Sequence, residues 1–172
     1  MKISESLMPA FDDQITLEFA SSQAYRQLAI EMDVQDLPGM ALWLRHQADE
    51  EIVHANKFID HVIDRGNSPS IGAVDAPAVK TGLSPAEAFA AALEHEQIVS
   101  ESIRNLYRAA DAEGDIDARP LLNWFVDEQI EEESTVGEIL ARIELVGDDG
   151  PGLLRLDDEL SRRQGGGTEN VD

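Results

Sequence analysis

The chain has 172 residues, enough for one domain with a sizeable core, and its charge is lopsided: 35 Asp and Glu against 13 Lys and Arg, a formal net charge of −22. That balance argues against a nucleic acid or an anionic membrane as partner, since both need a basic footprint, and it favours solubility and the attraction of cations. With no cysteine there is no disulfide, thiolate zinc site or iron–sulfur cluster, so any metal must be held by carboxylate, imidazole, amide or water.

The first residues, MKISESLMPAFDDQ, lack a basic stretch followed by an apolar one, so no signal peptide is expected. No apolar run approaches the length of a membrane span, and a cytoplasmic protein is the expectation. The first helix is predicted from Ser6, with Pro9 tolerated in its first turn, to about Val34. Its apolar stripe Phe11, Ile15, Tyr25, Ala29 and Met32 also contains Glu18 and Ser22. Asp36-Leu37-Pro38 breaks it, and Pro38 opens a second helix ending near Arg65-Gly66. Its stripe Met40, Leu44 and Phe58 contains Gln47, Glu51 and His54.

From about Gly66 to Gly82 three Gly and two Pro accompany a loss of helical period, which reads as a loop. Ser84-Pro85-Ala86-Glu87 combines an N-cap, a first-turn proline and a capping-box glutamate at the start of a third helix, which Gly114 closes. There Phe89, Leu93, Ile103 and Tyr107 bracket Glu96. A fourth helix runs from about Asp117 to Val146, and its stripe of Leu122, Phe125, Val136, Ile139, Ile143 and Val146 brackets Gln129 and Glu132. Pro151 to Arg163 suits a short fifth helix. The domain is read as residues 1–164, and the Gly-rich tail 165–172 is expected to be disordered.

Short links make the first and second helices antiparallel, and likewise the third and fourth. A helix of 28 residues is about 42 Å long, and a loop of roughly 17 residues can reach about 55 Å. The loop can therefore traverse the bundle and leave the second and third helices parallel, giving an all-α four-helix bundle with one long crossover. Glu18, Glu51, Glu96 and the Gln129/Glu132 pair all lie about midway along their helices, so they should meet at one level.

A carboxylate in a packed core is costly without a positive partner, and these stripes contain no Lys or Arg. Metal is the missing charge. Glu51-x-x-His54 puts two ligands on one helical face, Gln129-x-x-Glu132 offers the same spacing, and Glu18 and Glu96 add one carboxylate each. Four carboxylates balance two divalent ions, and an oxygen-rich set with one imidazole suits Fe or Mn better than Zn or Cu. Tyr25, seven residues beyond Glu18, is either a hydrogen-bond or electron donor to this site or a core residue. Trp124 reads as packing, and His46, His61 and His95 as surface or satisfied histidines. Glu50, Glu128 and Glu131 form a second acidic group beside the first, read as a third metal site or an entry path.

These segments, Leu17-Glu18 with Tyr25, His46-Gln47-Ala48-Asp49-Glu50-Glu51-x-x-His54, His95-Glu96-Gln97 and Trp124 to Glu133, together resemble those of ferritins of the haem-free bacterial type over about residues 5–163. The resemblance implies iron storage with ferroxidase activity, Fe(II) being oxidised by dioxygen or hydrogen peroxide and stored as a ferric mineral. It implies that Glu18, Glu51 and His54 hold one iron, that Glu51 bridges to a second completed by Glu96, Glu132 and Gln129, that Tyr25 is the ferroxidase-site tyrosine, and that Glu50, Glu128 and Glu131 form the additional iron site. It also implies a homo-oligomeric cage of 24 subunits. Bacterioferritins and rubrerythrins carry a second Glu-x-x-His where this chain has Gln129-x-x-Glu132, and Ile52 stands where bacterioferritins supply a haem Met, so no haem is expected. The alternative is a di-iron or di-manganese oxidase or catalase that stores no mineral.

Overall fold

All five helices begin with a proline in the first turn, where its missing N–H is one that no helical carbonyl would have accepted. The computed structural model describes residues 1–162. Among the described residues, helices α1 (Met8–Val34), α2 (Pro38–Asp64), α3 (Pro85–Ala112), α4 (Arg119–Val146) and α5 (Gly150–Leu160) account for the regular structure, with one 3-10 turn at Ile116–Ala118. The Gly-rich tail, and Arg163 at the end of the expected fifth helix, lie outside the described residues. No helix among the described residues is long and apolar enough to cross a membrane.

The expected boundaries shift in three places, each for a local reason. Ser6 does not cap α1. The N-cap is Leu7, with no side-chain cap, and Ser4 closes the turn before it, accepting the Leu7 N–H on its hydroxyl and the Met8 N–H on its carbonyl, both at 3.1 Å, while the Ser6 hydroxyl donates to Glu113 at 2.7 Å. Residues 116–118 wind as a 3-10 turn before α4 proper, and α5 starts at Gly150 because Asp149 caps it through the Gly152 N–H at 3.1 Å. The capping box at α3 forms as expected, with Glu87 N–H on Ser84 Oγ at 3.3 Å and Ser84 N–H on Glu87 at 2.8 Å.

Cross-helix bonds fix the directions. Ser22 Oγ donates to the Ala48 carbonyl at 2.6 Å, and Tyr107 OH to Asn123 at 2.9 Å, in pairs that run antiparallel within each hairpin. The crossover then climbs along α1: Ser70 N–H bonds Asp12 at 2.9 Å, Gly72 N–H bonds Thr16 at 2.8 Å, and Gly82 N–H bonds Glu31 at 2.6 Å. From Asp12 to Glu31 is about 28 Å of helix, so the loop carries the chain along most of the bundle and α3 runs parallel to α2.

The core is cut in two at mid-height. One apolar cluster holds Met32, Met40, Trp43, Leu44, Phe89 and Ile139 with Leu156 and Leu160 of α5. The other holds Phe11, Ile15, Phe58, Ile103, Leu122 and Phe125. Between them lies a buried polar layer of Gln14, Glu18, Ser21, Ser22, Gln47, Glu51, His54, Glu96, Ser100, Gln129 and Glu132. At the lower end Arg65 forms a two-pronged ion pair with Asp115, both bonds at 2.7 Å and both side chains under 10% exposed. That pair ties the end of α2 to the α3–α4 turn.

At the upper end the buried Asp157 of α5 accepts the Met40 N–H at 2.7 Å, satisfying one of the donors left over at the start of α2. The approach requires glycine at 39, where a Cβ would lie 1.9 Å from the Asp157 carbonyl oxygen. Gly39→Ala is therefore expected to cost about 1–3 kcal/mol as an overpacked contact, localised to α5. Faster amide exchange over residues 150–160 is the readout; unchanged exchange there would mean that α5 does not depend on this contact.

Candidate metal centre

Two helices bring three ligands to one point. Glu18 comes from α1, and Glu51 and His54 come from one face of α2, three residues apart. One ligand atom from each lies within 4.8 Å of the others, and all three side chains are buried. His54 Nδ1 stands 3.5 Å from Glu51 Oε2. Its ring is fixed by edge-on contacts with Trp124 and Phe125, whose centroids lie 5.6 and 5.5 Å away. Glu18 Oε2 and Glu51 Oε2 take no hydrogen bond from a neutral donor, and the two carboxyls meet each other, so that a proton on Glu18 is shared with Glu51.

Burial pushes the carboxyls of both Glu18 and Glu51 well above the usual range, and Glu51 opposes the charge on Glu18 further. Glu51 is also raised by Glu96 and Glu132 across the bundle. A divalent cation among these oxygens would offset both burial and repulsion, and two carboxylates with an imidazole form the donor set that suits iron or manganese.

The other expected residues line up beside this triad in a hydrogen-bonded half. Glu96 accepts from the Tyr25 hydroxyl, and from Gln129 Nε2 at 3.0 Å. Gln129 also donates to the Glu96 carbonyl at 3.3 Å. Glu132 accepts from Gln47 Nε2 at 2.8 Å. Burial, then Glu96, Glu50 and Glu128, push the Glu132 carboxyl up to about 9. Tyr25 is fully buried, and burial followed by the charge on Glu96 raises its phenol above the usual value.

Of the second acidic group, Glu50 and Glu128 are half-buried and close enough to Glu132 to act on its charge, whereas Glu131 is exposed. Trp124 is half-buried between His54 and Lys57, whose ammonium sits 4.5 Å from its ring centroid. His95 shares a 2.7 Å hydrogen bond with Ser21, and His61 stacks on Phe11 at 5.7 Å. Burial lowers both imidazoles below their usual value.

The residue that pattern reading passed over is Gln14. It is 1% exposed, and its Nε2 donates to Glu18 Oε1 at 2.7 Å. The available signal was its place four residues before Glu18, on the same helical face.

Known proteins share this arrangement of sequence and fold. The family model for the ferritin-like domain matches residues 9–146. The bacterial non-heme ferritin of Bacteroides fragilis is 35% identical over 162 residues, covering 94% of this chain and 99% of that one. That of Shigella flexneri is 33% identical over 159 residues, covering 92% and 96%. The open-pore ferritin of the hyperthermophilic archaeon Archaeoglobus fulgidus superposes with a TM-score of 0.91 at 38% identity, covering 95% of this chain and 100% of that one.

The raised carboxyl of Glu132 makes stability depend on pH. In the metal-free protein the folded state keeps this proton after the unfolded chain has lost it. The contribution is therefore complete below the ordinary value of 4.5 and declines as pH rises toward about 9. Metal-free Glu132→Gln, which holds a neutral group there at every pH, is expected to exceed the wild type in urea stability by a margin that widens over that window. A margin constant with pH would show that Glu132 is already ionised in the folded chain.

Proposed function

This chain belongs to the ferritin family, and we propose that it stores iron by oxidising Fe(II) at a two-iron ferroxidase centre in the middle of each subunit. The observation that carries this reading is the meeting of Glu18, Glu51 and His54 within 4.8 Å, inside a layer of buried carboxylates. The buried arginine Arg65 is already paired with Asp115 at the bundle's lower end.

Fe(II) is the substrate. In this reading Glu18, Glu51 and His54 take one ion, Glu51 bridges to a second, and Glu96 and Glu132 complete the second half with Gln129 at its edge. Carboxylate oxygens are hard donors that favour Fe(III) over Fe(II), so the ligand set itself favours oxidation. Each Fe(II) gives up one electron, and dioxygen or hydrogen peroxide takes the pair. The protons that the raised carboxyls hold in the metal-free protein leave as iron binds. The Tyr25 hydroxyl holds Glu96 in place and is the nearest phenol able to supply a further electron. Glu50 and Glu128, with Glu131 at the surface, form an acidic approach that would attract the cation. Storage requires a hollow assembly, and the proposal extends to a cytoplasmic homo-oligomer of 24 subunits that carries no haem.

Anaerobic loading with excess Fe(II) followed by air tests this, with iron quantified after size-exclusion chromatography. Hundreds of ferric ions co-eluting with a particle of about 450 kDa, 24 chains of 18.9 kDa, are expected. A small oligomer retaining about two irons per chain would point instead to a di-iron oxidase or catalase. Glu51→Ala and His54→Ala should each slow rapid Fe(II) oxidation by at least about tenfold, since even the partners of metal ligands carry that much, while the particle elutes unchanged. Rapid oxidation in either variant would remove the assigned centre.

A further inference from the structure

Glu18 reaches the centre with one of its two oxygens already engaged. Oε1 accepts from Gln14 Nε2 at 2.7 Å; Oε2 takes no hydrogen bond from a neutral donor, and the carboxyl also meets that of Glu51. Gln14 is itself held from the opposite hairpin, because its Oε1 accepts from Ser102 Oγ of α3 at 2.6 Å. The amide is thus fixed at both ends. Gln47, which donates to Glu132 in the other half of the layer, is fixed at one end only, its Oε1 having no partner.

The orientation of the Gln14 amide follows from charge. A serine hydroxyl can donate or accept, so Ser102 alone would tolerate either orientation. A metal-bound carboxylate is ionised and accepts only. Reversing the amide would set its oxygen against Glu18 and leave its N–H groups facing Ser102. One arrangement satisfies all three groups around an ionised Glu18.

We propose that Ser102 and Gln14 form a positioning relay that occupies Glu18 Oε1 and so presents Oε2 alone to the ion held by Glu51 and His54. The relay rests on the reading of those three residues as metal ligands. A carboxylate bound through one oxygen fills one coordination position, and through both oxygens it fills two. By reserving Oε1, the relay keeps a position on that ion open, which a metal that must meet an oxidant requires. It also makes the setting of a ligand on α1 depend on α3, although the two helices belong to different hairpins.

Co(II) is the probe, because it is stable to air in such a donor set and its visible absorption weakens as its coordination number rises. Titrated into the metal-free assembled protein, it should give a band that Glu51→Ala or His54→Ala removes. Gln14→Leu is expected to lower Co(II) affinity about tenfold or more, since the freed carboxylate must then be ordered by the ion itself, and to weaken the band as both Glu18 oxygens bind. Ser102→Ala should move affinity and band in the same direction by less, and Ser102→Thr, which keeps the hydroxyl, should restore the wild-type values. A wild-type spectrum and affinity in Gln14→Leu and Ser102→Ala would overturn the relay while leaving the metal site standing. A band that survives the loss of both Glu51 and His54 would instead remove the site on which the relay rests. If Gln14→Leu fails to assemble, the Ser102 pair decides, since that side chain is only half-buried.

Discussion

The burial of four carboxylates at mid-height, where each also repels the others, is the constraint on which this molecule depends. Glu18, Glu51, Glu96 and Glu132 are all under 10% exposed, in a medium where an unpaired charge is costly. The apolar clusters above and below the layer compensate, each large side chain contributing about 1.5–3 kcal/mol when fully buried. The metal-free chain limits the cost by retaining protons, as the raised carboxyls of Glu18, Glu51 and Glu132 indicate. A metal entering this layer would therefore compete with protons for the same oxygens.

Bringing the four acids to one level is the work of the crossover. Direction matters little for residues midway along helices of equal length, so what the chain must secure is that the two hairpins sit level. The bonds from residues 70, 72 and 82 to Asp12, Thr16 and Glu31 do this along α1. The two ends are then closed differently. Above, Asp157 of α5 caps α2 through a contact that only glycine at 39 permits. Below, Arg65 and Asp115 lock α2 to the α3–α4 turn. Any vertical slip of α2 would have to break one of these contacts, and α2 carries Glu51 and His54.

Most of this was legible in the chain itself. Prolines, caps and the periodicity of apolar residues locate the five helices to within a few residues, and acids interrupting those stripes locate the polar layer. What periodicity cannot supply is contact between distant segments. Gln14 and Ser102 are 88 residues apart and meet through a single hydrogen bond; neither breaks its stripe in the way a carboxylate does. The Arg65–Asp115 pair was hidden because Arg65 read only as the end of the second helix and Asp115, in a turn, carried no periodic signal. Ser6 looked like a cap, but Ser4, two residues earlier, closes the turn that leads into the helix, and Ser6 turns to Glu113. Within the acidic run of α4, rotation separates residues that the sequence places side by side. Glu128 lies four before Glu132, on its face, and is half-buried, whereas Glu131 is turned by about 100° and is exposed.

The donors chosen to hold the acids explain why the layer remains a site and not a set of internal ion pairs. Gln14, Gln47, Gln129 and Tyr25 all donate to its carboxylates, and all are neutral. An arginine in any of these places would hold a carboxylate as well geometrically, with a stronger bond, and would cancel the charge permanently. Amide and phenol groups orient the oxygens yet leave the countercharge unsupplied. The basic residues beside the layer are placed consistently with this: Arg26 is paired with Asp49, Arg104 with Glu133, and the Lys57 ammonium lies over Trp124. Geometry is thereby fixed in advance while charge is left open, which is the condition under which a cation can enter, bind strongly and leave again once oxidised.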